Sequence, residues 1–161
     1  MMQARCKETV MDNAKTGVDL HLIDLVTADM DATVAFYRAL GITIPETAIW
    51  KTESGRHHVD LTMPGGMTIH FDSPALAKVY NKGYRKPTGT GSRVVIGFRV
   101  ATRDDVDRTH RKLTELGHKS PQPPYDAFWG ARYAIVEDPD GNHVGIMSPL
   151  DPARRGGPPA V

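Results

Sequence analysis

The side chains able to do chemistry in this chain are histidines, aspartates and arginines set among β-rich runs. There are seven histidines and one cysteine, Cys6, so neither an internal disulfide nor a cysteine-based zinc site can form. His70 lies in the alternating run Met67–Asp72, near Asp72, and Asp24 lies in the earlier run Val18–Val26. A cavity-facing histidine with a carboxylate nearby is competent as a general base at neutral pH. His57 and His58 open another alternating run, His57–Met63, where their ordinary role is a solvated hairpin. Arg93, Arg99 and Arg132 suit a carboxylate or phosphate on a ligand, or else ion pairs with Asp24, Asp60 and Asp72. Pro121-Gln122-Pro123-Pro124-Tyr125-Asp126-Ala127-Phe128-Trp129-Gly130 reads as a proline-stiffened loop that holds three aromatic rings at low entropic cost. Such rings stack on a planar organic ligand, or else plug a sheet end or a subunit seam. No Gly-rich phosphate loop opens either helix.

Strands must present these residues, and period-two alternation sorts their faces. In Arg93–Val100, Val94, Ile96, Phe98 and Val100 form an apolar row under a helix, opposite Arg93, Val95, Gly97 and Arg99. Met67, Ile69 and Phe71 oppose Thr68, His70 and Asp72. Val59 and Leu61 oppose His58, Asp60 and Thr62, and Val144 and Ile146 oppose His143, Gly145 and Met147. Faces that mix polar, charged and small residues either meet water or line a cavity.

The pattern runs twice. Asp29 caps a helix through Leu40, stopped by Gly41. Thr102 and Asp105 form a weak capping box for a helix through Leu116, stopped by Gly117. Met30, Thr33, Tyr37, Leu40 and Gly41 map in order onto Val106, Thr109, Leu113, Leu116 and Gly117. Pro64-Gly65-Gly66 joins a hairpin in the first half, and Asp138-Pro139-Asp140-Gly141 joins Ala131–Glu137 to Asn142–Met147 in the second. A single domain over residues 17–150 follows, with module one at 17–72, a linker at 73–92 and module two at 93–150. Within the linker, Ser73-Pro74 starts a short helix through about Val79. Its basic, turn-rich remainder is a solvated connection or a flap that attracts anions. Residues 1–16 and 151–161 are expected as disordered tails.

The whole chain, 161 residues and 17.7 kDa, carries 20 basic and 19 acidic side chains, for a net charge of +1. That balance argues against nucleic acid or membrane partners. No apolar run approaches the roughly 20 residues of a membrane helix, and the start lacks a secretory signal. The expectation is a soluble cytoplasmic protein.

Asp29-Met30, Phe36-Tyr37-Arg38-Ala39-Leu40-Gly41, Phe128-Trp129-Gly130-Ala131-Arg132-Tyr133 and the Asp138-Pro139-Asp140-Gly141 turn resemble the vicinal oxygen chelate superfamily. That group includes glyoxalase I, extradiol dioxygenases and bleomycin-resistance proteins, and the resemblance spans about Val18 to Pro149. It implies an α+β fold of two tandem βαβββ modules whose curved mixed sheets form a cup, completed in a homodimer. Members with metal chemistry place four ligands in that cup. Counted from the motifs, those positions fall on Leu22, His70, Val95 and Gly145, and three of the four cannot coordinate an ion. No cofactor is therefore expected, with a divalent metal as the alternative. A one-residue slip of the first strand would turn His21 into the cup to join His70, with Asp24 or His143. It would also drive Asp24 among helix-facing residues, where an unpaired carboxylate is costly.

The expected ligand-binding set is Leu22, Asp24, His70, Val95, Arg99, Phe128, Trp129, Arg132, His143 and Gly145. The function the resemblance implies is a metal-free protein that binds a small aromatic or natural-product-like molecule, in the manner of bleomycin-resistance proteins. Two alternatives stand beside it. One is a lyase, isomerase or dioxygenase that uses a non-standard metal site or His70 as general base. The other is a protein-interaction module that uses the sheet faces.

Overall fold

The computed structural model describes residues 20–89, 92 and 94–157. Its strands are β1 (Leu22–Val26), β2 (Ile49–Thr52), β3 (Gly55–Thr62), β4 (Thr68–Asp72), β5 (Val95–Arg99), β6 (Gln122–Asp126), β7 (Arg132–Glu137) and β8 (His143–Met147). The helices are α1 (Met30–Leu40), α2 (Pro74–Tyr80) and α3 (Arg103–Glu115). Two four-stranded sheets result, ordered β1-β4-β3-β2 and β5-β8-β7-β6. In each, the first strand runs parallel to the last of its module and the other pairs are antiparallel. The expected pair of βαβββ modules is present.

Local chemistry explains the helices. Asp29 accepts the Ala32 amide at 3.0 Å, and Gly41 takes the left-handed conformation (φ 117°) that ends α1. The Thr102–Asp105 capping box is complete at the start of α3. Ser73 caps α2, with Pro74 in its first turn. The two halves are not copies in their packing, however. Leu40 is buried whereas Leu116, its counterpart, is 60% exposed.

Ile69, Phe71, Val59, Leu61, Val144 and Ile146 are buried as alternation requires. Val94 departs from its expected row. It precedes β5, which starts at Val95, and is exposed, so the buried row there begins at Ile96.

One core serves both modules. The Tyr37 ring lies 4.6 Å from Phe71 of module one and 6.0 Å from Phe98 of module two. Its hydroxyl donates to the buried Asp138 Oδ2 at 3.2 Å. Asp138 also accepts from the Asp140 and Asn142 amides and from Asn142 Nδ2, so its buried charge is well satisfied.

The chain after β8 does not behave as a tail from residue 151. The Asp151 side chain accepts the Ala153 amide and caps a short turn, Pro152–Arg154. The Asp151 amide bonds Gly130 O at 3.1 Å, and the Gly156 amide bonds Phe128 O at 2.7 Å. Backbone hydrogen bonds thus strap this segment to the aromatic loop, a pairing that side-chain composition does not reveal. The 1–16 tail, Val18, Arg93 and residues 158–161 lie outside the described residues.

Candidate functional site

The faces turned away from α1 and α3 carry the candidate chemistry. In module one, register sets Leu22, Asp24 and Val26 abreast of Thr68, His70 and Asp72, which in turn sit beside Thr62, Asp60 and His58. Leu22 therefore shares this face with His70. His21 stays outside the strand and exposed, so the slipped register does not occur.

Polar contacts knit the module-one face together. Tyr80, at the end of α2, donates its hydroxyl to Asp24 Oδ2 at 2.8 Å. His58 Nδ1 lies 2.6 Å from Asp72 Oδ1, and His70 Nε2 lies 3.4 Å from Asp60 Oδ1. The two imidazoles meet edge to face at 5.2 Å. Burial holds the Asp24 carboxyl above its ordinary range, Tyr80's hydrogen bond opposes that rise, and the Asp72 charge adds to it.

The module-two face is different in kind. Val95, Gly97, Phe98, Arg99, Trp129, Tyr133 and Met147 line a cavity of about 300 Å³. Trp129 and Tyr133 meet at 5.4 Å with rings nearly perpendicular, and Tyr125 stands 6.1 Å from Tyr133. This is an edge-to-face aromatic wall with one guanidinium on its rim.

The four positions where the resembled metalloenzymes hold an ion do not fit one. Leu22, Val95 and Gly145 offer no donor, and Gly145 is itself covered. A Cβ there would fall 2.6 Å from the Tyr133 hydroxyl and about 3 Å from its ring, so Tyr133 occupies the space a coordinating side chain would need. Among the described residues no group of three or more His, Cys, Asp or Glu side chains is disposed to hold a metal.

The expected site residues thus separate into two groups. Leu22, Asp24 and His70 share the module-one face; Val95, Arg99, His143, Gly145 and Trp129 belong to module two. Phe128 meets Trp129 edge to face at 5.1 Å but is 43% exposed and lies outside the cavity lining. Arg132 is a correction. It lies on the same side of β7 as the buried Ala134 and Val136, facing α3, where Asp107 holds it at 2.9 Å and Asp126 at 3.0 Å. It is a structural ion-pair residue, and strand parity was the signal for it. Tyr133, its neighbour with the opposite parity, lines the cavity and was overlooked by reasoning from residue type, as were Gly97, Phe98 and Met147. His57 keeps the hairpin role, bonded to Ser73 and to Thr52 and Ser54. His58 does not.

A family model described as the Glyoxalase/Bleomycin resistance protein/Dioxygenase superfamily matches residues 19–146. Solved structures with the same fold include a glyoxalase/bleomycin resistance protein/dioxygenase family enzyme from Burkholderia phytofirmans PsJN. It superposes with a TM-score of 0.65 at 22% identity, covering 83% of this chain and 100% of that one. A glyoxalase/bleomycin resistance protein/dioxygenase from Nocardioides gives 0.61 at 22% identity, covering 89% of each chain. TioX from Micromonospora sp. ML1 gives 0.55 at 21% identity, covering 83% of this chain and 100% of that one. At such identities the similarity is one of fold. Comparison with curated proteins finds no match.

Proposed function

The chain belongs to the glyoxalase/bleomycin resistance protein/dioxygenase superfamily, and from that premise we propose that it is a cytoplasmic small-molecule binding protein. It holds a planar organic ligand against the aromatic wall of module two, without a metal, in the way a sequestering resistance protein would. The observation that carries this reading is the cavity lined by Trp129, Tyr133, Met147 and Arg99. Its walls supply dispersion and stacking, its rim supplies a cation for an anionic group, and no chelating cluster accompanies it among the described residues.

The same cavity argues for a homodimer. Its lining comes from module two alone, while the outer edges of β1 and β5 have no strand partner among the described residues. Leu20, Leu22, Val94 and Val95 stand exposed beside those edges. Unpaired edges flanked by apolar side chains invite a second chain. The cup that the superfamily resemblance implies would then set a partner copy's polar module-one face against the aromatic wall.

Calorimetric titration of 2-naphthoate into the protein tests the site. Trp129→Ala is expected to weaken binding about tenfold, the loss of roughly one stacking contact. Arg99→Ala should weaken 2-naphthoate more than neutral naphthalene. Affinities untouched by both substitutions would remove the cavity from consideration.

A further inference from the structure

One histidine of the module-one face has the surroundings of a base rather than of a hairpin residue. His58 Nδ1 lies 2.6 Å from Asp72 Oδ1; the Asp72 side chain is 4% exposed and that of His58 29%. An ionised carboxylate can only accept, so the contact puts the ring proton on Nδ1 and leaves the Nε2 lone pair open. Among the described residues Nε2 has no hydrogen-bond partner. His70, the histidine that residue type alone favours as base, is held less firmly. The carboxylate in contact with it, Asp60, is itself 57% exposed and stands 3.4 Å away.

We propose that His58 and Asp72 form a proton-accepting dyad that takes the acidic hydroxyl proton of a phenolic or enolic ligand. The dyad deepens the binding reading above and rests on it for the ligand, though not for its own protonation state. In the step, the ligand O–H bond breaks and its electron pair stays on oxygen. The proton forms a new N–H bond at His58 Nε2, and the resulting imidazolium sits between the buried Asp72 carboxylate and the new oxyanion. The transfer consumes no oxidant, reductant or co-reactant. The ligand meets the dyad only across the pairing of two copies proposed above, with its ring on one copy's aromatic wall and its hydroxyl towards the other copy's module-one face. Imidazole exchanges protons best with groups of comparable acidity.

Several other groups surround the dyad. His70 from β4 meets the His58 ring at 5.2 Å, and Asp60 from β3 stands beside His70. Asp24 from β1 lies close enough to Asp72 to feel its charge, and Tyr80 from α2 donates to Asp24. Trp50 from β2 is the cross-strand neighbour of His58. Of the carboxylates around it, Asp72 alone is bonded to the ring.

Two probes of the full chain test this. Binding of 4-nitrophenol is followed by its phenolate absorbance, and binding of 4-nitroanisole, which has no proton to give, by calorimetry. Bound nitrophenol is expected to ionise about tenfold more readily than the free compound, the effect of one well-placed cation. His58→Gln should abolish that gain while leaving 4-nitroanisole affinity unchanged, and Asp72→Asn should reduce it. Nitrophenol that binds no more ionised than in solution, or a gain that survives His58→Gln, overturns the dyad and leaves the cavity standing. If neither compound binds, the cavity reading fails for such ligands. The nitrogen NMR shifts of His58 in the free protein then decide: protonation at Nδ1 sustains the dyad and protonation at Nε2 overturns it.

Discussion

Asp24 carries its charge on poor terms, because its Oδ1 is buried without a hydrogen-bond partner and Asp72 stands nearby. Its carboxyl titrates above the reference 3.8, chiefly because of burial. The folded state therefore holds that proton more tightly than the unfolded chain does. Stability falls as pH rises from the unfolded value through the raised folded one, and stays lower beyond it. Asn at this position would carry no charge, still accept from Tyr80, and offer Asp72 a donor. Asp24→Asn is expected to stabilise the protein at neutral pH by up to about 1 kcal/mol, a figure discounted for partial hydration. The gain should vanish in acid below the unfolded pKa. Urea denaturation at both pH values checks it, and an equal gain at both would mean that the charge is not the cause. Much of this face was legible residue by residue, since alternation alone sets Asp24, His70, His58 and Asp72 apart from the core. What alternation cannot supply is which of them touch. The His58–Asp72 contact depends on the register of β3 on β4, which the turn geometry sets.

At the scale of elements, the aromatic wall is only as firm as its loop. Gly130 holds φ at 95°, and a Cβ there would lie 2.5 Å from Asp151 O in the strap. Gly130→Ala thus combines backbone strain with a backbone clash, at an expected cost of about 1–3 kcal/mol. Thermal unfolding should show the loss, and a red-shifted tryptophan emission would show Trp129 moved towards water; an unchanged melt would mean that the strap yields freely. The strands flanking such features were read unevenly from sequence. β2 has only Ile49 buried, so it lacks an alternating signature, and Pro123 and Pro124 make β6 look like a loop. Both strands lie at sheet edges, where missing amide donors and short pairing are tolerated. Helix caps were clearer, because a cap acts within a few residues of itself, as Asp29 and Thr102 show.

For the molecule as a whole, the open edges of β1 and β5 predict a mass in sedimentation equilibrium of twice 17.7 kDa. A stable pair of this kind should bury more than about 1,000 Å² in total. Leu22→Lys sets a charge on that exposed face and is expected to shift the equilibrium towards single chains; a wild-type protein that sediments as a monomer would rule the pairing out. The tandem architecture was readable in advance because its motifs recur in order. The joining of the halves through Tyr37 and Asp138 was not, since those residues lie far apart in the chain. That joint has a consequence for how the duplicated halves can exist. Tyr37 is 1% exposed between aromatic rings of both modules and bonded across to the second. Neither half, made as a separate peptide, would have anywhere to hide the surface its sibling covers. Severing the connection between Lys82 and Gly89 should leave two fragments able to fold only in each other's company, an obligate pairing inherited by what looks like a simple repeat.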